Sequence, residues 1–202
     1  MNTIAKAIKN RIVRKQRGWV FTPWDFEDLG SREAIDKTLS RLADGMTIRR
    51  IARGIYDYPR MSNFGPIRSD LYAVASAMAR NSQSRIQVSE AYAANILGLT
   101  TQVPGKMVFY TDGTKRIRKI GNQTLIFKQA SPKKLGGAGR ISGLVLQGLR
   151  YFGKIGIPES AITHLQKSLS KSDKEVVLKD KASAPLWMQP FIEQIASSPA
   201  NG

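Results

Sequence analysis

An α+β fold in two parts is what this 202-residue sequence predicts. Three observations point to it. Residues 1–60 interleave helix-period apolar stripes with short β-branched or aromatic runs. Three β-type runs between residues 107 and 128 are separated by Asp112-Gly113 and Gly121-Asn122, two turn-forming pairs. Between these regions, residues 60–68 contain Ser62, Asn63, Gly65 and Pro66, the composition of a linker. With 42% apolar residues the chain can bury a core in each part.

The first helix is expected from Thr3, a capping residue, to about Arg17, because Ile4, Ile8 and Ile12 recur every four residues and Gly18 stops the pattern. Trp19-Val20-Phe21 reads as a short strand. Thr22 is then a helix cap, Pro23 suits the first helical position, and Asp25 places negative charge near the helix start, so a short second helix follows to Leu29. Gly30 turns the chain and Ser31 caps a third helix, whose stripe of Ile35, Thr38, Leu39 and Leu42 faces inward until Gly45. Thr47–Ile51 and Ile55–Tyr58 form a hairpin turning at Arg53-Gly54. Helix, strand, helix, tight turn, helix and hairpin is the element order of a winged helix-turn-helix, expected over residues 1–60, with 61–68 as linker.

Charge fits that order. Thirty-two Lys and Arg against 15 Asp and Glu give +17, far more than solubility requires, and the excess lies mainly in the first two thirds of the chain. Such a field favours a polyanion, with double-stranded DNA first. The candidate DNA contacts are Thr22, the third helix's Ser31, Arg32, Lys37, Ser40 and Arg41, and the hairpin's Arg49, Arg50 and Arg53. Arg32, near the helix start, is the best placed to pair bidentately with guanine. The competing reading is a solvated charged face, since Glu33 and Asp36 share it.

Residues 69–202 are expected to form a C-terminal α+β domain. A helix carries Leu71, Val74, Ala75 and Met78; Ile86–Val88 is a strand; Ser89 caps a helix to Leu97. Met107–Thr111, Lys115–Ile120 and Thr124–Lys128 should then form a three-stranded antiparallel meander. Its middle strand carries Lys115, Arg116, Arg118 and Lys119, which with Lys133 and Lys134 make either a second phosphate-contacting surface or a basic edge that resists strand pairing. Lys133–Arg140 is glycine-rich and opens a helix with Ile141, Leu144, Val145, Leu149 and Phe152. It lacks the Gly-Lys-Ser/Thr of a P-loop, and Ser142 stands where a dinucleotide fingerprint wants Gly or Ala, so a plain loop is preferred to a nucleotide site. Residues from Pro158 read as two or three short helices.

The sequence resembles the AbiEi-type antitoxins, repressor components of type IV toxin-antitoxin systems. The likeness rests on the opening helix and Gly18, on Thr22-Pro23, on Leu39 and Leu42 leading to Gly45, above all on Ile48-Arg49-Arg50-Ile51-Ala52-Arg53-Gly54-Ile55-Tyr56, and on Ser131-Pro132-Lys133-Lys134-Leu135 and Gln147–Gly153, and spans about residues 1–155. The resemblance implies a protein that binds its own operon's promoter and counters a nucleotidyltransferase-like toxin without a stable complex.

Other classes are constrained. Zero cysteines exclude disulfides and thiolate chemistry, and His164, set among Ile162, Leu165 and Leu169, cannot build a histidine cluster, so no metal and no cofactor are expected. A magnesium nuclease would need converging carboxylates, and residues 61–135 contain only Asp70, Glu90 and Asp112, so an enzyme is not the expectation. No apolar run approaches a membrane span and the first residues lack the apolar region of a signal peptide, so a cytoplasmic protein is expected. An antitoxin that binds its toxin directly is the remaining alternative.

Overall fold

The computed structural model describes residues 3–154 and 156–197 and has the α+β architecture expected. Two compact units divide it: Met1–Ser84 with Lys119–Gln123, and Arg85–Arg118 with Thr124–Gly202. Among the described residues no helix is long and apolar enough to cross a membrane.

In the first unit, α1 (Thr3–Arg14), β1 (Val20–Phe21), a 3-10 helix (Pro23–Leu29), α2 (Arg32–Asp44) and the hairpin β2 (Arg49–Ala52) and β3 (Ile55–Asp57) follow one another. β3 lies between the other two strands, antiparallel to both, in the order β1-β3-β2. That order, with the first short strand returning to pair beside the wing, is the winged helix-turn-helix arrangement. Apolar periodicity explains the core: Ile8 and Ile12 of α1 and Ile35 and Leu39 of α2 meet Phe21, Phe26 and Tyr56. Phe21 takes Phe26 edge-on at 5.5 Å, the preferred aromatic geometry. The second helix of the motif is a 3-10 helix, begun by a reciprocal cap in which the Thr22 backbone N–H donates to the Asp25 carboxylate at 2.8 Å. Ser31 caps α2 by accepting from the Ala34 N–H. The left-handed residue after α2 is Met46 (φ 51°), one position beyond Gly45.

Residues 61–68, expected as a linker, instead contain a small antiparallel hairpin, β4 (Met61–Ser62) and β5 (Gly65–Pro66). The helix after it, α3 (Leu71–Asn81), expected in the C-terminal domain, belongs to the first unit. Its Arg80 explains why: Nε bonds the Asp25 carboxylate at 2.9 Å and Nη2 bonds the Val20 carbonyl at 2.8 Å, fastening α3 to the start of the 3-10 helix.

A mixed sheet of order β6-β7-β9-β8 follows, made of β6 (Ile86–Val88), β7 (Met107–Thr111), β8 (Arg116–Ile120) and β9 (Gln123–Gln129), with α4 (Glu90–Ile96) after β6; it belongs to the second unit apart from Lys119, Ile120 and Gln123. The expected antiparallel meander is therefore corrected. β9 returns from its turn to pair in parallel with β7, stacking Phe109 on Phe127 at 5.6 Å, and displaces the charged β8 to the edge. An interior position suits Leu125 and Phe127, both fully buried, better than a strand of arginines and lysines. α5 (Ile141–Phe152), α6 (Glu159–Ser168), α7 (Lys171–Lys179) and α8 (Gln189–Ser197) gather around Leu146, Leu149, Leu165 and Ile192. The tail from Pro158 thus contributes a core to this unit.

Candidate nucleic-acid interface

The outward face of α2 carries both signs of charge. Arg32, Lys37, Ser40 and Arg41 are exposed, as are Glu33, Asp36 and Asp44, so the helix itself is close to neutral. Arg32 donates from Nε to Asp36 at 2.9 Å across one turn, with both side chains well exposed. An exposed pair of this kind is worth about 0.3–0.5 kcal/mol, little enough for a guanine edge to compete for the guanidinium while Asp36 still aims it. Ser31 is exposed at the helix start, although its hydroxyl is engaged as the cap.

The wing supplies the uncompensated charge. Arg50 and Arg53 are exposed, and the Arg53-Gly54 turn depends on Gly54 at φ 72°, a left-handed backbone that keeps the loop to two residues. Among the described residues Lys37, Arg41, Arg50 and Arg53 form no ion pair.

Two expected contacts have other duties. Thr22 is buried at 3% exposure within the cap with Asp25 and presents no surface to a groove. Arg49 turns inward from the wing: its Nε and Nη2 reach the Asp57 carboxylate at 3.1 and 2.6 Å, and Nη2 also donates to the Ile67 carbonyl. Asp57 is 2% exposed and takes a third bond from the Ser69 hydroxyl at 2.6 Å. A carboxylate desolvated to that degree must be paired, so Arg49 braces the wing. The alternation of the strand holds the signal: Arg49 and Arg50 necessarily point to opposite faces.

Sequence reasoning passed over three features of the first unit. Arg11 grips Asp28 with two bonds of 2.6 Å; this pairing pulls the Asp28 carboxyl below the ordinary carboxylate range. The β4–β5 hairpin carries Phe64 in full solvent exposure between Arg60 and Arg68. A groove of about 500 Å3 is lined by Ser40 and Asp44 of α2, Arg50 of β2, and Met61 and Pro66 of that hairpin.

In the second unit the suggested basic surface divides. Lys115, Arg118, Lys119 and Lys133 are exposed, whereas Arg116 lies over the Phe127 ring at 4.6 Å, where burial lowers its pKa. Lys134 sits 3.8 Å from the centre of the Tyr110 ring and 3.0 Å from Glu90, whose other oxygen accepts the Tyr110 hydroxyl at 2.6 Å. Desolvation pushes the Glu90 carboxyl upward, but the bonds from Tyr110, its own backbone and Lys134 outweigh it and hold the pKa below 4.5, the ordinary glutamate value. Lys134 is a packing cation of this cluster.

The remaining candidates have structural work. Asp70 caps α3, Asp112 pairs with Arg85, and among the described residues no three potential metal ligands gather. His164 bonds the Leu97 carbonyl through Nε2 at 2.9 Å. The glycine-rich stretch serves close packing, since a side chain on Gly143 would strike the Gly137 carbonyl oxygen. Asp180 occupies the start of α5, taking the Ser142 hydroxyl and Arg140, and a carboxylate there repels phosphate.

The family model of DUF6088, described as a family of unknown function, matches residues 7–177. No curated protein matches the chain. The crystal structure of the RV2827C protein from Mycobacterium tuberculosis aligns at a TM-score of 0.43 and 14% identity, covering 98% of this chain and 79% of that one.

Proposed function

The chain belongs to the DUF6088 family, and we propose that it is a sequence-specific double-stranded DNA-binding repressor that acts as the antitoxin of a type IV toxin-antitoxin system and represses its own operon. The observation that supports DNA binding is the first unit's arrangement: α2 stands beside a wing whose outward arginines, Arg50 and Arg53, have no carboxylate partner among the described residues. Arg32 reads a base edge, Lys37, Ser40 and Arg41 fix the helix on phosphates, and the wing arginines hold the adjacent backbone. The net charge of +17 draws the protein to DNA, and the number of phosphates its cations neutralise sets the salt dependence. No catalytic step, metal or cofactor belongs to this reading.

The antitoxin role rests on the resemblance to AbiEi-type proteins, and the counterpart is a nucleotidyltransferase-like toxin encoded beside it, opposed without a stable complex. A reporter driven by the DNA upstream of the gene tests the repressor role. Wild type should silence it, and a Lys37→Ala, Arg53→Ala variant that accumulates to the same level should not. Equal silencing by both would remove these residues from the site, and expression unaffected by wild type would remove the repressor reading. Recovery of a stoichiometric complex with the neighbouring gene's product would instead favour an antitoxin that covers its toxin directly.

A further inference from the structure

We propose that the β4–β5 hairpin is a DNA-kinking arm that wedges Phe64 between base pairs in the minor groove beside the site held by α2 and the wing. This inference rests on the DNA-binding reading and adds a second contact to it. Phe64 is 102% exposed at the hairpin tip, and Met61 and Ile67 are also exposed at its base, so large apolar side chains stand in water along this short hairpin. The tip is built rather than loose. The Ser62 hydroxyl donates to the Gly65 carbonyl at 3.0 Å and accepts the Phe64 N–H at 3.2 Å, and Gly65 takes φ 108°. A tip ordered in this way presents its aromatic ring without a large ordering cost on binding.

Charge selects the occupant. Arg60 and Arg68 flank the hairpin, both exposed, and no acidic residue lies between Tyr58 and Ser69. A second copy of so basic a surface would be repelled, whereas a polyanion is attracted. Met61 and Pro66 line one groove together with Asp44 and with Ser40 and Arg50, two candidate DNA contacts, which sets the arm beside the proposed interface. Phenylalanine and methionine wedges flanked by arginine act in the minor groove, unstacking one base step and bending the duplex toward the major groove. The site would therefore favour an easily kinked pyrimidine-purine step next to the bases read by Arg32.

The test uses the full chain and a duplex of its own upstream region, with dyes at both ends and 2-aminopurine at successive steps. Wild type should shorten the end-to-end distance and raise 2-aminopurine fluorescence at one step. Phe64→Ala, which removes a fully exposed ring and should retain the wild-type melting temperature, should abolish both signals and weaken binding about tenfold. Phe64→Trp should retain them. A wild-type complex without bending, or a Phe64→Ala complex bent like wild type, would overturn the arm and leave DNA binding standing. Absence of any DNA binding by wild type would overturn both. Loss of a wild-type dimer on Phe64→Ala in sedimentation would also overturn it, assigning the ring to self-association.

Discussion

Removing Arg49 separates the structural arginine from the proposed DNA contact, Arg50, on one short strand. In Arg49→Ala the Asp57 carboxylate, 2% exposed, loses both guanidinium bonds and keeps only the Ser69 hydroxyl. Breaking a buried ion pair from one side costs about 3–5 kcal/mol. The Arg49 side chain is 33% exposed, so water can reach the gap, and the expected loss falls to about 2–4 kcal/mol. For a unit of this size each kcal/mol moves the midpoint by about 4–8 °C, so the first unit's thermal transition should drop by about 8–32 °C. Arg49→Ala combined with Asp57→Ala should recover much of that loss, because the stranded charge is gone. Circular dichroism melts of wild type, both single variants and the double variant measure the coupling. An Arg49→Ala protein that melts within about 2 °C of wild type yet binds DNA poorly would refute the brace and return Arg49 to the phosphate contacts.

Arg53→Ala and Lys37→Ala should leave the melting temperature unchanged, weaken binding equally on all sequences, and each reduce the logarithmic salt slope by about 0.9, as measured by fluorescence anisotropy. Arg32→Ala should instead lose about 1–3 kcal/mol on the preferred sequence alone, relaxing specificity at one base pair in a competition series. Asp25→Ala removes the partner of the Thr22 N–H and of Arg80 together, and a loss of about 2–3 kcal/mol by urea unfolding is expected. The bonds from Tyr110 and Lys134 outweigh desolvation and hold the folded Glu90 carboxyl below its ordinary range. Its contribution is therefore complete above the ordinary glutamate range and is lost as pH falls through the folded pKa; Glu90→Gln should flatten that part of the acid limb of a stability profile.

Local signals were readable and long-range ones were not. Ser31, Thr22-Pro23 and Arg53-Gly54 each encode a cap or turn within a few residues, and the apolar stripes of α1 and α2 encode their own faces, so the order of the first unit follows from sequence alone. The pairing of β7 with β9 is different. Turn dipeptides indicate that a chain reverses, but they do not say which strand it returns to, and burial of Phe109 against Phe127 decides that. The membership of α3 depends on Arg80 meeting Asp25 across 55 positions, an interaction with no periodicity to betray it. The β-branched runs around Arg53-Gly54 located the hairpin, and its arginines made it a candidate interface. Separating Arg49 from Arg50 required knowing where Asp57 was buried.

Sequence-specific DNA binding is measured by comparing affinity for the DNA upstream of the gene with affinity for unrelated DNA of equal length across a salt series. Both affinities should fall steeply as salt rises, the upstream DNA should stay tighter throughout, and Arg32→Ala should remove that gap while leaving the fall. Equal affinities at every salt concentration would contradict base readout and reduce the protein to a general polyanion binder, and no binding at low salt would contradict the claim outright.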